Sequence, residues 1–227
     1  MSRFLAAVCL LMLGCSNTPA PERPEGSASA RPVPEVQPRA IAKVDDRPVI
    51  VAFGDSLTAG MGVGPALNYS ALLEKRLDAE GRRYRVVNAG VSGDTSGGGL
   101  ARIDSVLAYQ PQIVILELGA NDGLRGLPVE STRANLEQII IRLQQAGVKV
   151  VLAGMTLPPN YGAEYVRSFE RVFVDLSKQY KTQLIPFLLD NVAVKRELMQ
   201  DDGLHPNAAG HRVMADHVMK ALKPLLE

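Results

Sequence analysis

The chain has 227 residues, 46% apolar and 22% charged, with a formal net charge of +1 at pH 7. That is enough chain for one domain with a sizeable core, and the near-neutral balance removes any electrostatic case for nucleic-acid binding. Both cysteines, Cys9 and Cys15, lie in the first fifteen residues, which excludes disulfides and thiolate metal sites from everything that follows.

The N-terminus reads as a targeting segment. Met1-Ser2-Arg3 is a short positive region, and Phe4 to Leu13 is an apolar run too short to span a bilayer as a mature helix. Leu11-Met12-Leu13-Gly14-Cys15 resembles a bacterial lipobox, so residues 1–14 are expected to be a lipoprotein signal peptide, with lipid carried on Cys15. A plain secretory signal with an incidental Cys is the alternative. Ser16 to Arg47 holds six Pro and no aromatic residue. Such a stretch cannot bury a core, and residues 15–47 are expected to be the lipidated Cys and a disordered Pro-rich tether, reaching on the order of 100 Å when extended. Ser16 after the Cys, rather than Asp, resembles the class sorted to the outer membrane. The expectation is a bacterial periplasmic protein, membrane-held through Cys15.

From Pro48 the pattern changes, and residues 48–227 are expected to be the folded domain. Short β-branched runs at Val49 to Phe53, Arg85 to Asn88, Ile113 to Leu118, Lys149 to Ala153 and Gln183 to Phe187 predict strands. Amphipathic stretches at Pro65 to Ala79, Ser96 to Ala108, Glu130 to Gln145, Ala163 to Tyr180 and Asn207 to Leu222 predict helices, with Pro206 and Asn207 as start signals for the last. The strand runs are nearly continuous rather than alternating, as suits strands buried on both faces. Strands alternating with helices imply a five-stranded parallel sheet with right-handed crossovers. In such sheets, sites form beyond the carboxyl ends of the strands. The segments Gly54 to Ser56, Gly90 to Gly99 and Gly119 to Gly123 all follow strand ends and should converge there. Gly97, Gly98 and Gly99 predict a mobile second loop.

Chemistry enters with Gly54-Asp55-Ser56-Leu57 after the first strand and Asp202-Gly203-Leu204-His205 near the end. A Ser just past a strand is a candidate nucleophile. A late His with a carboxylate three residues before it is a candidate base and its partner. The Gly-x-Ser-x-Gly elbow of α/β-hydrolases is absent from the sequence, which disfavours that fold. Four blocks in order then carry a resemblance. They are Gly54-Asp55-Ser56-Leu57, Asn88 to Ser96, Leu118 to Gly126, and Asp201 to Pro206. Together they resemble the GDSL, or SGNH, hydrolases, and most closely the secreted arylesterase and acyl thioesterase–lysophospholipase branch. The resemblance implies a three-layer α/β/α flavodoxin-like fold and carboxylic ester hydrolysis with neither metal nor cofactor. Residue by residue, it implies Ser56 as nucleophile, His205 as base and Asp202, not Asp201, as the His partner. It implies an oxyanion hole of Ser56 N–H, Gly93 N–H and the Asn121 side chain. His211 and His217 are expected to be surface or partly buried helix residues, and Asp55, Asn88, Asp94 and Asp122 to hold loops.

Substrate signals are thinner. Leu124, Leu127 and Pro128, with Leu157 to Tyr161, are candidates for lining an acyl groove. The resemblance implies aryl or acyl esters, acyl thioesters and lysophospholipids as small-molecule substrates. Two other functions stay open: deacetylation of a cell-envelope glycan on the same triad, and a non-catalytic binding lipoprotein. Against the last, the sequence has no P-loop and no dinucleotide fingerprint.

Overall fold

The structure is a computed structural model that describes residues 45–226. The expected signal peptide, Cys15 and the tether up to residue 44 lie outside the described residues. Five parallel strands form one sheet in the order β2-β1-β3-β4-β5: β1 Val49–Gly54, β2 Arg85–Gly90, β3 Ile113–Glu117, β4 Lys149–Ala153 and β5 Gln183–Ile185. β1 and β3 are buried along their whole length, and only Lys149 of β4 is exposed, so the continuous apolar runs do mark strands covered on both faces. The edge strand β2 is less buried.

Helices cover both faces, giving three layers. α2 (Tyr69–Ala79) packs against α8 (Ala208–Leu222). On the other face α3 (Ser96–Ala101) packs against α6 (Val129–Gln145), and α6 against α7 (Ala163–Tyr180). α7 buries Phe169, Val172, Phe173 and Leu176 on one stripe, with the Phe169 and Phe173 rings edge-to-face at 5.3 Å. Short helices α1 (Ser56–Ala59), α4 (Ile103–Leu107) and α5 (Ala120–Leu124) complete the set.

Three features depart from the expected pattern, each for a local reason. The second helix begins at Tyr69, not near Pro65, because Asn68 caps it by accepting the Ala71 N–H at 2.9 Å. The stretch from Ser96 breaks into α3 and α4 at Arg102, whose backbone (φ −112°, ψ 14°) leaves the helical region. The triple glycine is not a mobile loop but the body of α3. A Cβ at Gly99 would sit 2.2 Å from Leu118, and one at Gly98 1.9 Å from the Asp94 carboxylate, so these glycines permit close packing. At the domain's start, Arg47 already bonds Glu74 and the Tyr84 carbonyl.

The strand order reverses between β1 and β3, so the loops after these two strands diverge and leave a crevice at their carboxyl ends. α8 is fixed beneath it. Asn207 caps α8 by accepting the N–H groups of Ala209 and Gly210. His211 is not a surface residue: it is 1% exposed, stacks on Tyr69 and accepts the Tyr69 N–H through Nδ1 at 3.2 Å.

Burial, with the charge of His205 adding to it, pushes the His211 ring down to about 4. The native state therefore requires the neutral ring. Its contribution is fully present above the unfolded value of 6.5 and is lost as pH falls toward 4. His211→Phe keeps the ring and removes the titration. Urea melts at pH 7.5 and 4.5 should show wild type losing roughly 3 kcal/mol more than the variant on acidification. An unchanged gap between the two proteins would refute the assignment.

Candidate active site

β1 ends at Gly54 and the chain turns at once into α1. Asp55 makes the turn: its Oδ1 accepts the Leu57 N–H at 3.0 Å and caps a single helical turn. Ser56 is the first residue of that turn. Since the Leu57 N–H is taken by the cap, the Ser56 N–H stands at the helix N-terminus, where no intrahelical carbonyl exists to receive it. Gly60 closes the turn in the left-handed region at φ +79°.

His205 Nε2 lies 2.9 Å from Ser56 Oγ, and His205 Nδ1 lies 2.6 Å from Asp202 Oδ2. Asp202 Oδ1 also accepts the backbone N–H groups of Leu204 and His205, at 2.9 and 3.0 Å. The bonds from the His205 backbone and ring, with that from Leu204, hold the Asp202 carboxyl down at about 2. A carboxylate only accepts, so Nδ1 carries the ring proton and Nε2 of the neutral ring offers its lone pair to the Ser56 hydroxyl. The bond goes to Asp202; Asp201 is exposed on the same turn. That turn is closed by an antiparallel bridge between Met199 and Pro206 and by the Gln200 N–H bonding the His205 carbonyl at 2.8 Å. Gln200 Nε2 also donates to the Met61 carbonyl at 2.7 Å, tying the His turn to the residues just past α1.

The other expected donors sit on neighbouring loops. Gly93 is exposed and left-handed at φ +81°, with its carbonyl bonded by Arg125. Asn121, in α5 after β3, directs its two amide hydrogens to Asp55 Oδ2 and the Asp94 carbonyl, each at 2.9 Å. Donation to a bound oxygen thus requires one of these bonds to be shared or exchanged. The loop-holding residues act as expected. Asp122 accepts from Ser96 N and Oγ, Asp94 from Arg102, and Asn88 donates to the Thr58 carbonyl.

Behind the Ser56 turn lie two buried carboxyls. Glu117 Oε2, at the end of β3, accepts the Asp55 N–H at 3.2 Å and the Thr58 hydroxyl at 2.8 Å, while its Oε1 is buried with no partner. Burial first, and the neighbouring Asp55 second, push Glu117 well above the ordinary carboxyl range. Burial pushes Asp55 up to about 6, against the opposing bonds from Leu57 and Asn121. Burial therefore favours the protonated form of Glu117 and of the neighbouring Asp55 carboxyl. That explains how an unpartnered oxygen is tolerated there, since a neutral acid is far cheaper to bury than a carboxylate.

In front of Ser56 opens a cavity of about 440 Å³, with Ser56, Asn121 and His205 in its wall. Leu124, Leu157, Pro158 and Pro159 line it, as the sequence suggests, but Leu127, Pro128, Asn160 and Tyr161 do not. Met155, Phe187, Leu189, Met199 and Leu204 add to the apolar wall, with Val194, 87% exposed, also lining it. Sequence reasoning passes over these residues, and over Glu117, Gln200 and Arg102, because each reads as an ordinary strand, loop or helix residue.

With this geometry in view, the comparisons are specific. The model of the GDSL-like Lipase/Acylhydrolase family matches residues 52–213. Esterase TesA of Pseudomonas aeruginosa is 45% identical over 178 residues, covering 78% of this chain and 89% of the relative. Thioesterase 1/protease 1/lysophospholipase L1 of Escherichia coli K12 is 39% identical over 178 residues, covering 78% and 84%. The crystal structure of the psychrotrophic esterase EstA from Pseudoalteromonas sp., inhibited by monoethylphosphonate, superposes with a TM-score of 0.75 at 37% identity, covering 78% of this chain and 97% of that one.

The carboxyl pair makes a measurable prediction. A raised carboxyl favours the native state most at low pH, and its contribution is lost as pH rises above the unfolded value of 4.5 for Glu117 toward its folded value. Wild type should lose stability relative to Glu117→Gln as pH rises from about 4.5. A protonated-carboxyl infrared band should persist at pH 7 in wild type and vanish in the variant. Absence of that band from wild type at pH 7 would show Glu117 to be ionised.

Proposed function

The chain belongs to the GDSL-like lipase/acylhydrolase family, and from that membership we propose a serine ester hydrolase acting through an acyl-enzyme on Ser56. The observation that carries the proposal is the continuous hydrogen-bonded line from Ser56 Oγ through His205 to Asp202 at 2.9 and 2.6 Å, at the mouth of an apolar cavity.

In the proposed cycle Ser56 Oγ attacks the substrate carbonyl carbon while its proton passes to His205 Nε2. Asp202, ionised throughout, stabilises the imidazolium and keeps the ring in register. The negative charge that develops on the carbonyl oxygen is met by the Ser56 and Gly93 N–H groups and by one hydrogen of the Asn121 amide. Collapse breaks the bond to the leaving oxygen or sulfur, which takes the proton from His205. Water then gives a proton to His205 and attacks the acyl carbon, and Ser56 leaves with that proton. The apolar wall supports acyl and aryl esters, acyl thioesters and lysophospholipids as substrates, rather than a glycan, whose hydroxyls it would strand. We also propose, from the sequence pattern alone, that the domain is held in the bacterial periplasm through lipid on Cys15. Metabolic labelling with an alkyne fatty acid, lost in Cys15→Ala, tests this.

Ser56→Ala should abolish hydrolysis of p-nitrophenyl acyl esters with an unchanged melting curve, and a fluorophosphonate probe should label Ser56 in wild type. Full turnover in the variant would exclude the mechanism. Asp202→Asn should lower kcat by about 10³- to 10⁴-fold, since it disfavours the productive tautomer. Asn121→Ala should lower kcat by about 100- to 1000-fold with little change in KM.

A further inference from the structure

Arg102 makes a set of contacts that the proposed mechanism does not use. It stands at the break between α3 and α4 with its side chain 22% exposed. Nε donates to Asp94 Oδ2 at 2.7 Å, Nη1 to the Ala89 carbonyl at 2.9 Å, and Nη2 to the Gly54 carbonyl at 3.0 Å. The guanidinium carbon lies 4.6 Å from the centre of the Phe53 ring. One planar group therefore binds the ends of β1 and β2 and the loop between β2 and α3.

Two of these partners lie close in the chain to a proposed oxyanion donor. Gly54 lies two residues before Ser56, and Asp94 directly follows Gly93. Asp94 also accepts the Asn121 amide through its carbonyl. The β1–β2 ladder ends at the pair Gly54 and Gly90, so the loop that carries Gly93 has no strand partner along its length. Beyond the ladder it is held by Val91 N–H on the Gly54 carbonyl, the Asp94 N–H on the Val91 carbonyl, Asn121 on the Asp94 carbonyl, Arg125 on Gly93, and the Arg102–Asp94 pair. Of the two cations, Arg102 is the one that also grips the nucleophile strand.

We propose that Arg102 is a positioning residue that sets the separation between the Ser56 N–H and the Gly93 N–H. It does so by holding Gly54, Ala89 and Asp94 on one rigid fork. This rests on the serine ester hydrolase reading above. Only Arg can act here: its donors are fixed in a plane and reach three acceptors at once, whereas a Lys ammonium offers a single point. A displacement of about 1 Å in such a constellation costs on the order of 100-fold in rate. Because the donors grip the oxygen only as it becomes charged, the loss belongs in kcat and not in KM.

The test is full-chain Arg102→Lys and Arg102→Ala beside wild type, with kcat and KM on a p-nitrophenyl ester, the rate of fluorophosphonate labelling, and thermal melts. Both variants should lose about 10- to 100-fold in kcat with KM within about threefold of wild type, and labelling should slow in parallel. Millimolar methylguanidinium should restore part of the lost rate to Arg102→Ala, which a merely structural loss would not allow. Folded variants with kcat within twofold of wild type, or a loss that follows the unfolded fraction and ignores methylguanidinium, would overturn the proposal. Should the Arg102 variants fail to fold, Asp94→Ala removes the acceptor and releases the loop while leaving both strand-end contacts, and it must show the same fall in kcat at constant KM or the proposal fails. A wild-type protein that neither turns over ester nor takes the probe would remove the ester hydrolase reading and this inference with it.

Discussion

A parallel strand buried on both faces cannot simply stop. Its last peptide groups are as polar as those inside the ladder, and at the carboxyl end of β1 they sit where water is scarce. Each must find a partner. Side chains from other segments supply most of them, with Asp55 capping its own turn: Glu117 accepts the Asp55 N–H, Arg102 donates to the Gly54 carbonyl, Asn88 donates to the Thr58 carbonyl, and Asp55 accepts from Leu57. The rest of the site depends on this satisfaction of a strand end, because it is the same turn that presents Ser56.

The turn is also tight, and the tightness dictates residue size. A Cβ at Gly54 would meet Thr58 and Glu117 at 2.2–2.4 Å, and one at Gly90 would meet the backbone of Ala59 at 2.2 Å. Backbone cannot retreat as a flexible side chain can, so Gly90 is the stricter requirement. The glycine that opens the Gly-Asp-Ser-Leu motif and the one that ends β2 serve one purpose: they let α1 lie against the edge of the sheet, so that Ser56 and its neighbours share one crevice.

The parts legible in the sequence are those whose signal is local. Continuous apolar runs mark β1, β3 and β4, and the spacing of Phe169, Phe173 and Leu176 marks α7. Asp202 and His205 sit three apart in one turn, where the chain itself brings them together. What escapes is long-range or disguised. Glu117 sits inside a run that reads as strand, and only the fold shows that its neighbours are Asp55 and Thr58. Arg102 reads as a solvated helix charge because the break that frees it has neither Pro nor Gly at the break residue itself. Three glycines suggest mobility when their neighbours are unknown. Packed beneath Leu118 and Asp94, the same residues are compact helix. Most of the apolar wall of the cavity comes from segments after β4 and β5, and beyond Leu157 to Pro159 no sequence signal marks these residues as lining.

The site holds two kinds of carboxyl, and solvent divides them. Asp202 is exposed and takes N–H groups from its own turn and the His205 ring, so its charge is stabilised and its carboxyl lies low. Glu117 and Asp55 are sealed behind the Ser56 turn, and both are pushed up by burial. In the proposed cycle, a charge on Glu117 would compete with Asp202 for the imidazolium and would raise the energy of an anion developing beside the Ser56 N–H. Burial biases Glu117 toward its neutral form, in which it fixes the turn through its hydrogen bonds and adds no net charge beside Ser56. The burial that makes this residue hard to recognise from sequence is thus also what favours an uncharged carboxyl directly behind the Ser56 turn.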